Sequence, residues 1–137
     1  MQSIWQTVQV GVPILLVDLG LTIGLFVLGV FVYVRITPHH EFKLVRENNL
    51  AAGLSLSGVV IGMALPLAFS LAASVNELDI LFWGLVVVVL QLGAFFAANV
   101  VLRDLSARIE AGELAAAAVL FSFNIGLAMF LAAAISG

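Results

Sequence analysis

The stretch that decides the fold runs from Arg46 to Pro66 and reads RENNLAAGLSLSGVVIGMALP. It opens with two charged side chains and two side-chain amides, then becomes apolar and rich in alanine, glycine and serine. The apolar part, residues 50–75, exceeds the roughly 20 residues that an α-helix needs to cross about 30 Å of hydrocarbon. The polar start therefore marks the point where a membrane-spanning helix begins.

The composition of the whole chain indicates a membrane protein. Of its 137 residues, 64% are hydrophobic and 9% are charged, and the mean hydropathy is +1.24. A soluble domain carries about 25% charged residues, so this chain needs the lipid bilayer as its solvent. The net charge of −3 argues against a nucleic-acid partner. The absence of cysteine excludes disulfides, thiolate metal sites and thiol catalysis.

Four apolar stretches are long enough to span the bilayer, at residues 12–36, 50–75, 80–102 and 114–136. Only a helix satisfies every backbone group within one such segment, so the sequence predicts a single all-α domain of four transmembrane helices. The first stretch lacks the basic start and cleavage site of a signal peptide. Ile4, Trp5 and Val8 share one helical face, which predicts a short interfacial piece before Pro13 starts the first span.

The basic residues predict the orientation in the membrane. All five lie around the first and third loops, at Arg35, Lys43, Arg46, Arg103 and Arg108. The N-terminal tail, the turn at residues 76–79 and the C-terminus have none. Because short loops rich in lysine and arginine stay in the cytoplasm, both basic loops are predicted to be cytoplasmic and both termini periplasmic.

The chain also repeats itself at a shift of 64 residues. Leu50-Ala51-Ala52 falls on Leu114-Ala115-Ala116, and Ile61-Gly62 falls on Ile125-Gly126. Each half, about 12–75 and 80–137, is a helix, a basic loop and a returning alanine-rich helix. Both halves enter the membrane from the same side, which predicts a parallel repeat of two helical hairpins.

The motif ENNLAAGLSLSGVVIGMALPL at residues 47–67, and its weaker echo EAGELAAAAVLFSFNIGLAM at residues 110–129, resemble the repeated element of a bacterial membrane family. That family is catalogued as domain of unknown function 350, the YjfL-like proteins. Its repeat has an acidic residue and asparagine at the start of the second helix. Glu47, Asn48 and Asn49 match this pattern, whereas Glu113 replaces the asparagine in the second half. The resemblance implies paired two-helix repeats in a multi-pass protein of the bacterial inner membrane, and no mechanism.

The polar residues before the second and fourth helices have a structural interpretation. Asparagine is a favoured N-cap, and a nearby carboxylate interacts well with the positive end of the helix dipole. Glu47, Asn48 and Asn49 are therefore interpreted as the cap of the second helix, and Glu113 as part of the cap of the fourth. The alternative is a family site for a headgroup, an ion or a partner.

Small residues recur at four-residue spacing on two helices. Gly20 and Gly24 form a GxxxG pair on the first helix, and Gly58, Gly62 and Pro66 begin a stripe on the second that continues to Ser74. In lipid such stripes let helices approach closely, either within one chain or between copies of it. Pro66 is also predicted to kink the second helix and to free the carbonyl of Gly62.

Three of the polar side chains inside the predicted spans are candidates for a functional role. An ionised Asp18 costs several kcal/mol in lipid unless it is paired, hydrated or protonated. It is thus either a cation or proton site, or a solvated or capping carboxylate near the end of its helix. Gln91 and Asn124 lie at similar depth in an antiparallel hairpin, so they are predicted to face the interior within hydrogen-bond reach, directly or through water. They would act either as glue between helices or as a polar path.

Enzymatic and metal-binding functions find no support in the sequence. Adjacent His39 and His40 cannot both point to one side of a regular element, so we expect a loop there and no metal site. The chain has no nucleophile–base pair, phosphate loop or metal motif, and we expect no enzyme and no cofactor.

Two functions therefore remain. One is an oligomeric channel or transporter-like component for an ion or small solute, because four helices enclose little space. The other is a non-catalytic structural or assembly subunit that packs against a larger membrane complex. The expected partners are the lipid bilayer and either further copies of the chain or that larger complex.

Overall fold

Six α-helices form the part of the chain that the computed structural model describes, residues 2–37 and 41–136. The long helices are α1 (Gln2–Ile36), α3 (Leu50–Ala73), α4 (Glu77–Val101) and α6 (Leu114–Ser136); the short helices are α2 (Glu41–Arg46) and α5 (Arg103–Glu110). All four long helices are long and apolar enough to cross a membrane. The prediction of an all-α protein with four such helices is confirmed.

The start of α1 differs from the prediction. The helix begins at Gln2 and continues through Pro13 without an interfacial break. A proline inside a helix removes one backbone hydrogen bond, and here the helical residues on both sides carry the helix across that gap. At 1.5 Å per residue, α1 is about 52 Å long, which exceeds the roughly 30 Å of hydrocarbon in a bilayer. The prediction that Pro13 starts the helix is wrong.

The turn between α3 and α4 is short and capped. α3 ends at Ala73 and α4 begins at Glu77, a little away from the predicted limits of 75 and 80. The side chain of Asn76 accepts a hydrogen bond from the backbone N–H of Asp79 at 2.9 Å, and the carboxylate of Asp79 accepts one from the N–H of Val75 at 3.2 Å. These two bonds satisfy N–H groups that the turn would otherwise leave unpaired.

The four long helices pack with α3 and α4 in the middle. Each of these two contacts the three other long helices, while α1 and α6 lie on opposite sides of them. One apolar cluster fills the space between α1, α3 and α4, with the ring of Tyr33 edge-on to Phe95 at 5.4 Å between centroids. The most extensive interface joins α3 to α6.

Small residues allow the close approach of α3 and α6. A Cβ atom added at Gly58 would lie 3.0 Å from the Cα of Phe121, and one added at Gly62 would lie 3.4 Å from the carbonyl oxygen of Asn124. Any larger side chain at these positions would push the helices apart. The first two glycines of the stripe, Gly58 and Gly62, are therefore packed against α6 within the chain.

The other small-residue pair lies on a free surface of α1. A Cβ atom added at Gly20 or Gly24 would meet nothing within 4 Å among the described residues. α1 instead contacts α3 through Gly29, which touches the side chain of Met63. Packing inside the chain thus uses Gly29, and leaves the face with Gly20 and Gly24 open.

The connections α1–α3 and α4–α6 have the same backbone hydrogen bonds. The N–H of Asn49 donates to the carbonyl of Leu44 at 2.9 Å, and the N–H of Glu113 donates to that of Arg108 at 3.0 Å. The preceding residues, Asn48 and Gly112, both have positive φ, at 64° and 86°. Each pair is related by the 64-residue shift seen in the sequence.

The two ends of the bundle differ in charge. We call the end with α2 and α5 the connection end; it carries all five lysine and arginine residues together with five carboxylates. We call the end with the α3–α4 turn the turn end. Its charged residues are Asp18, Glu77 and Asp79. The turn end is therefore acidic, without a lysine or arginine to balance it.

Candidate functional site

Gln91 satisfies the backbone group that Pro66 leaves unpaired. Pro66 lies inside α3 and has no N–H to donate to the carbonyl of Gly62. The side-chain amide of Gln91, on α4, donates to that carbonyl at 2.8 Å. The prediction that Pro66 frees this carbonyl was sound, but sequence reasoning did not assign Gln91 as its partner. The signal was available, since proline in a membrane helix demands a donor from elsewhere.

Gln91 and Asn124 both lie in the interior, as predicted. Their exposed fractions are 0% and 1%. The two side chains form no direct hydrogen bond with each other, and the amide nitrogen of Gln91 donates to the carbonyl of Gly62. The prediction of a contact through water stays a prediction. The oxygen of Gln91 and both polar side-chain atoms of Asn124 have no hydrogen-bond partner among the described residues. The interior therefore holds polar capacity that the protein itself does not use.

Three helices meet at Gly62. Its carbonyl accepts the bond from Gln91 on α4, and a Cβ atom added to it would lie 3.2 Å from the ring of Phe95 on α4 and 3.4 Å from the backbone carbonyl of Asn124 on α6. Because glycine has no side chain, both neighbouring helices come close to α3 at this position. Gly62 is thus at once a packing residue and a hydrogen-bond acceptor.

Asp18 lines a cavity at the turn end. The cavity has a volume of about 400 Å³ and lies between α1 and the α3–α4 turn, with Ile14, Asp18, Glu77 and Leu78 among its lining residues. One carboxylate oxygen of Asp18 is shielded from solvent and has no hydrogen-bond partner among the described residues. Two acidic side chains, from α1 and the start of α4, thus share one space that sequence spacing alone could not reveal.

Asn49 caps two helices at once. Its side-chain oxygen accepts from the N–H of Ala52 at 3.1 Å, which caps the start of α3 as predicted. Its side-chain nitrogen donates to the carbonyls of Ile109 and Glu110 at 3.1 and 3.2 Å, at the end of α5. Asn49 therefore ties the two connections together, a role that cap statistics could not predict.

The other residues of the family motif have different surroundings. Asn48 adopts the positive φ that asparagine tolerates better than most residues, and Glu47 is exposed. Glu113 forms an ion pair with Arg108, and both side chains are about half exposed. These two charges therefore contribute little to stability.

The sequence predicts no metal site at the adjacent histidines of the first loop. His39 and His40 lie outside the described residues, so the prediction for them stays a prediction. Within the described parts of the chain, no group of three histidine, cysteine or acidic side chains is placed to hold a metal ion.

Comparison with known proteins gives a family match over almost the whole chain. The sequence model of the family "Domain of Unknown Function (DUF350)" matches residues 6–135. The UPF0719 inner membrane protein YjfL of Escherichia coli strain K12 is 33% identical over 87 residues, and its counterpart in strain O157:H7 has the same identity. The aligned part covers 64% of this chain and 66% of each relative. No solved structure matches the chain.

The bond between Gln91 and Gly62 predicts a specific pattern of stability. Gln91→Leu should lower the free energy of unfolding by about 1–3 kcal/mol, because it leaves a buried carbonyl unpaired. Pro66→Ala supplies a backbone N–H for the same carbonyl, so Gln91→Leu should cost clearly less in a Pro66→Ala background. Reversible unfolding in mixed micelles measures all four proteins.

Asn124→Leu is the matched control for this cycle. Its side-chain amide is equally buried but has no hydrogen-bond partner among the described residues. The cost of this substitution should be the same with proline or alanine at position 66. Equal costs of Gln91→Leu in both backgrounds would contradict the assigned bond.

Proposed function

This chain belongs to the DUF350 family, and on that premise we propose that it acts in the bacterial inner membrane as an oligomeric channel or transporter-like component for a cation or proton. The proposed role is non-enzymatic. The inner-membrane location rests on the name of the relatives from Escherichia coli, and the four apolar helices support it.

The observation that carries the proposal is the cavity shared by Asp18 and Glu77. One oxygen of Asp18 is shielded from solvent and unpaired among the described residues. A carboxylate held in a membrane helix without a partner is costly, and a bound cation or proton removes that cost. The lysine and arginine residues all lie at the connection end, so none of them serves as the counter-ion. The cavity therefore suits a positive charge from outside the chain.

An oligomer supplies what one chain lacks. Gln91 and Asn124 are fully buried and do not line the Asp18 cavity. An ion path that includes them therefore needs a surface from another copy of the chain. Residues 3–17 of α1 are exposed along their whole length, and the face with Gly20 and Gly24 is open. Small residues on an open membrane-helix face favour helix–helix association. We propose that a second copy packs against this face of α1.

The internal repeat is part of the proposal. The matching hydrogen bonds of the two connections support two hairpins of common origin, about 12–75 and 80–137. The pairing of α3 with α6 and of α1 with α4 also supports it, because corresponding helices then contact each other. On this arrangement, the proposed hairpins are related by an axis along the membrane normal.

The orientation follows from the charge difference between the two ends. We propose that the connection end, with its five lysine and arginine residues, lies in the cytoplasm. Both termini and the Asp18 cavity then lie on the periplasmic side. A cation would reach Asp18 from the periplasm.

A second function is favoured by different observations. Gln91 serves the backbone of α3, which is a structural role, and the exposed apolar length of α1 offers a surface for another membrane protein. The alternative is therefore a non-catalytic assembly subunit of a larger complex. It predicts no ion flux and a partner that copurifies with the chain.

Cysteine labelling tests the proposed orientation. Ser3, Val75 and Ala111 are exposed, and single cysteines at these positions are expected to react with a membrane-impermeant maleimide. The first two should label in intact cells and the third only after permeabilisation. Thr37, the obvious site in the first loop, is 5% exposed and bonded to the carbonyl of Tyr33, so it is unsuitable. The reverse labelling pattern would overturn the orientation.

Flux through proteoliposomes tests the function. Asp18→Asn keeps the shape of the side chain and removes its charge, so it should abolish cation or proton flux while leaving the inserted, folded protein intact. Asp104→Asn removes an exposed carboxylate at the connection end and is the matched control, with flux at the wild-type level.

The same two variants separate the alternatives. Flux that persists in Asp18→Asn would contradict the transport proposal. Absence of flux in the wild type, together with a membrane partner that copurifies with the wild type and is lost from Asp18→Asn, would support the assembly subunit instead. Asp18 would then pair with a basic group on that partner.

A further inference from the structure

A second cavity lies at the turn end, between α3, α4 and α6, and it does not include Asp18. Its volume is about 430 Å³, which lies within the range of about 300–1,000 Å³ typical of small-molecule sites. Its inner wall is apolar, with Val86 and Leu90 from α4 and Leu131 and Ile135 from α6. Ser70, Ser74, Asp79 and Trp83 supply its polar and aromatic groups.

Ser70 provides an unused hydrogen-bonding group in this cavity. Its side chain is 3% exposed, and its hydroxyl oxygen has no hydrogen-bond partner among the described residues. The neighbouring Ser74 does bond to its own helix, donating to the carbonyl of Ser70 at 2.6 Å. Buried hydroxyls normally have a partner. The hydroxyl of Ser70 is therefore a free hydrogen-bonding group for an occupant with an oxygen or nitrogen at this depth.

Asp79 and Trp83 define the charge of that occupant. They lie one turn apart on α4 and line the same cavity. One oxygen of Asp79 accepts from the N–H of Val75, and the carboxylate has no lysine or arginine at this end of the bundle. A carboxylate and an indole face both attract an ammonium group, by a charge-assisted hydrogen bond and by cation–π attraction.

We propose that this cavity binds one membrane lipid with an ammonium headgroup. The ammonium lies between Asp79 and Trp83, an ester oxygen accepts a hydrogen bond from the hydroxyl of Ser70, and an acyl chain follows the apolar wall. A small soluble amine would make no contact with the apolar wall, whereas the acyl chain of a lipid covers it. The occupant is therefore a lipid. The site uses neither Asp18 nor the orientation of the protein, so it stands independently of the proposed function.

Native mass spectrometry of the purified full chain tests the site. The protein is exchanged into micelles that contain phosphatidylethanolamine or phosphatidylglycerol with the same acyl chains. One phosphatidylethanolamine should bind per chain, and it should bind roughly tenfold more tightly than phosphatidylglycerol, because only the former carries the cation. Equal binding of the two lipids would overturn the proposal.

Two variants with a matched control assign the binding to this cavity. Asp79→Asn should remove the headgroup preference, and the fold should persist because the asparagine oxygen still accepts from Val75. Glu77→Gln removes one negative charge from the same turn but does not line this cavity, so the preference should stay. An equal loss of preference in both variants would show a general charge effect and would overturn the site.

A filled cavity and a soluble competitor complete the test. Ala134 lines the cavity and is exposed, so Ala134→Phe should abolish binding of both lipids while circular dichroism shows the wild-type helix content. Retention of the lipid in this variant would contradict the location. Soluble ethanolamine that binds the wild type as tightly as phosphatidylethanolamine does would contradict the assignment to a lipid, because ethanolamine has no acyl chain to contact the apolar wall.

Discussion

The structure depends on one constraint, that no backbone carbonyl inside a membrane goes unpaired without a large cost. Pro66 creates such a carbonyl at Gly62 in the middle of α3, and Gln91 on α4 donates to it at 2.8 Å. A hydrogen bond from a side-chain amide to a neighbouring membrane helix is worth roughly 1 kcal/mol. An unpaired backbone group in hydrocarbon costs several kcal/mol. The cost of leaving the Gly62 carbonyl unpaired exceeds the gain from an ordinary hydrogen bond between helices. This cost favours the position of α4 along its axis at which Gln91 reaches Gly62.

The rest of the bundle is arranged around that point. The missing side chain of Gly62 admits Phe95 from one side and the backbone of α6 from the other. One turn earlier, Gly58 lets α3 come close to the backbone of Phe121 on α6. At the connection end, Asn49 joins the start of α3 to the end of α5. α3 is thus joined to α4 by a hydrogen bond and to α6 by close packing. α1 packs against the bundle on one face, and its N-terminal half is exposed.

Much of the fold was predictable, because hydrophobic length and backbone pairing act on every residue of a span. Local features that depend on a single residue were also predictable. Examples are the N-cap at Asn49 and the carbonyl that loses its backbone donor at Pro66. Partner choice was not predictable from local spacing. The sequence placed Gln91 and Asn124 at similar depth, but it did not reveal that the amide nitrogen of Gln91 donates to the carbonyl of Gly62. Pro13 failed as a start signal, since one lost hydrogen bond does not end a 35-residue helix.

The candidate sites could be predicted only in part for the same reason. Asp18 stands out in any apolar span, but its shared cavity with Glu77 depends on how α1 meets the α3–α4 turn. From its spacing, Ser70 is one more small residue of the packing stripe. Only the structure shows that its hydroxyl is buried without a hydrogen-bond partner among the described residues. Both sites lie at the acidic turn end, away from the buried amide of Gln91 that joins α4 to α3.

The bond at the centre of the bundle is tested most directly by the distance between the side-chain nitrogen of Gln91 and the carbonyl carbon of Gly62. Solid-state NMR on protein labelled with ¹³C at glycine carbonyls and ¹⁵N at glutamine side chains measures it in bilayers. The Gln91→Leu protein gives the background from the other glutamines. We predict a dipolar signal, lost in that variant, from a pair separated by less than about 4 Å. Identical signals from the two proteins would contradict the bond on which this bundle depends.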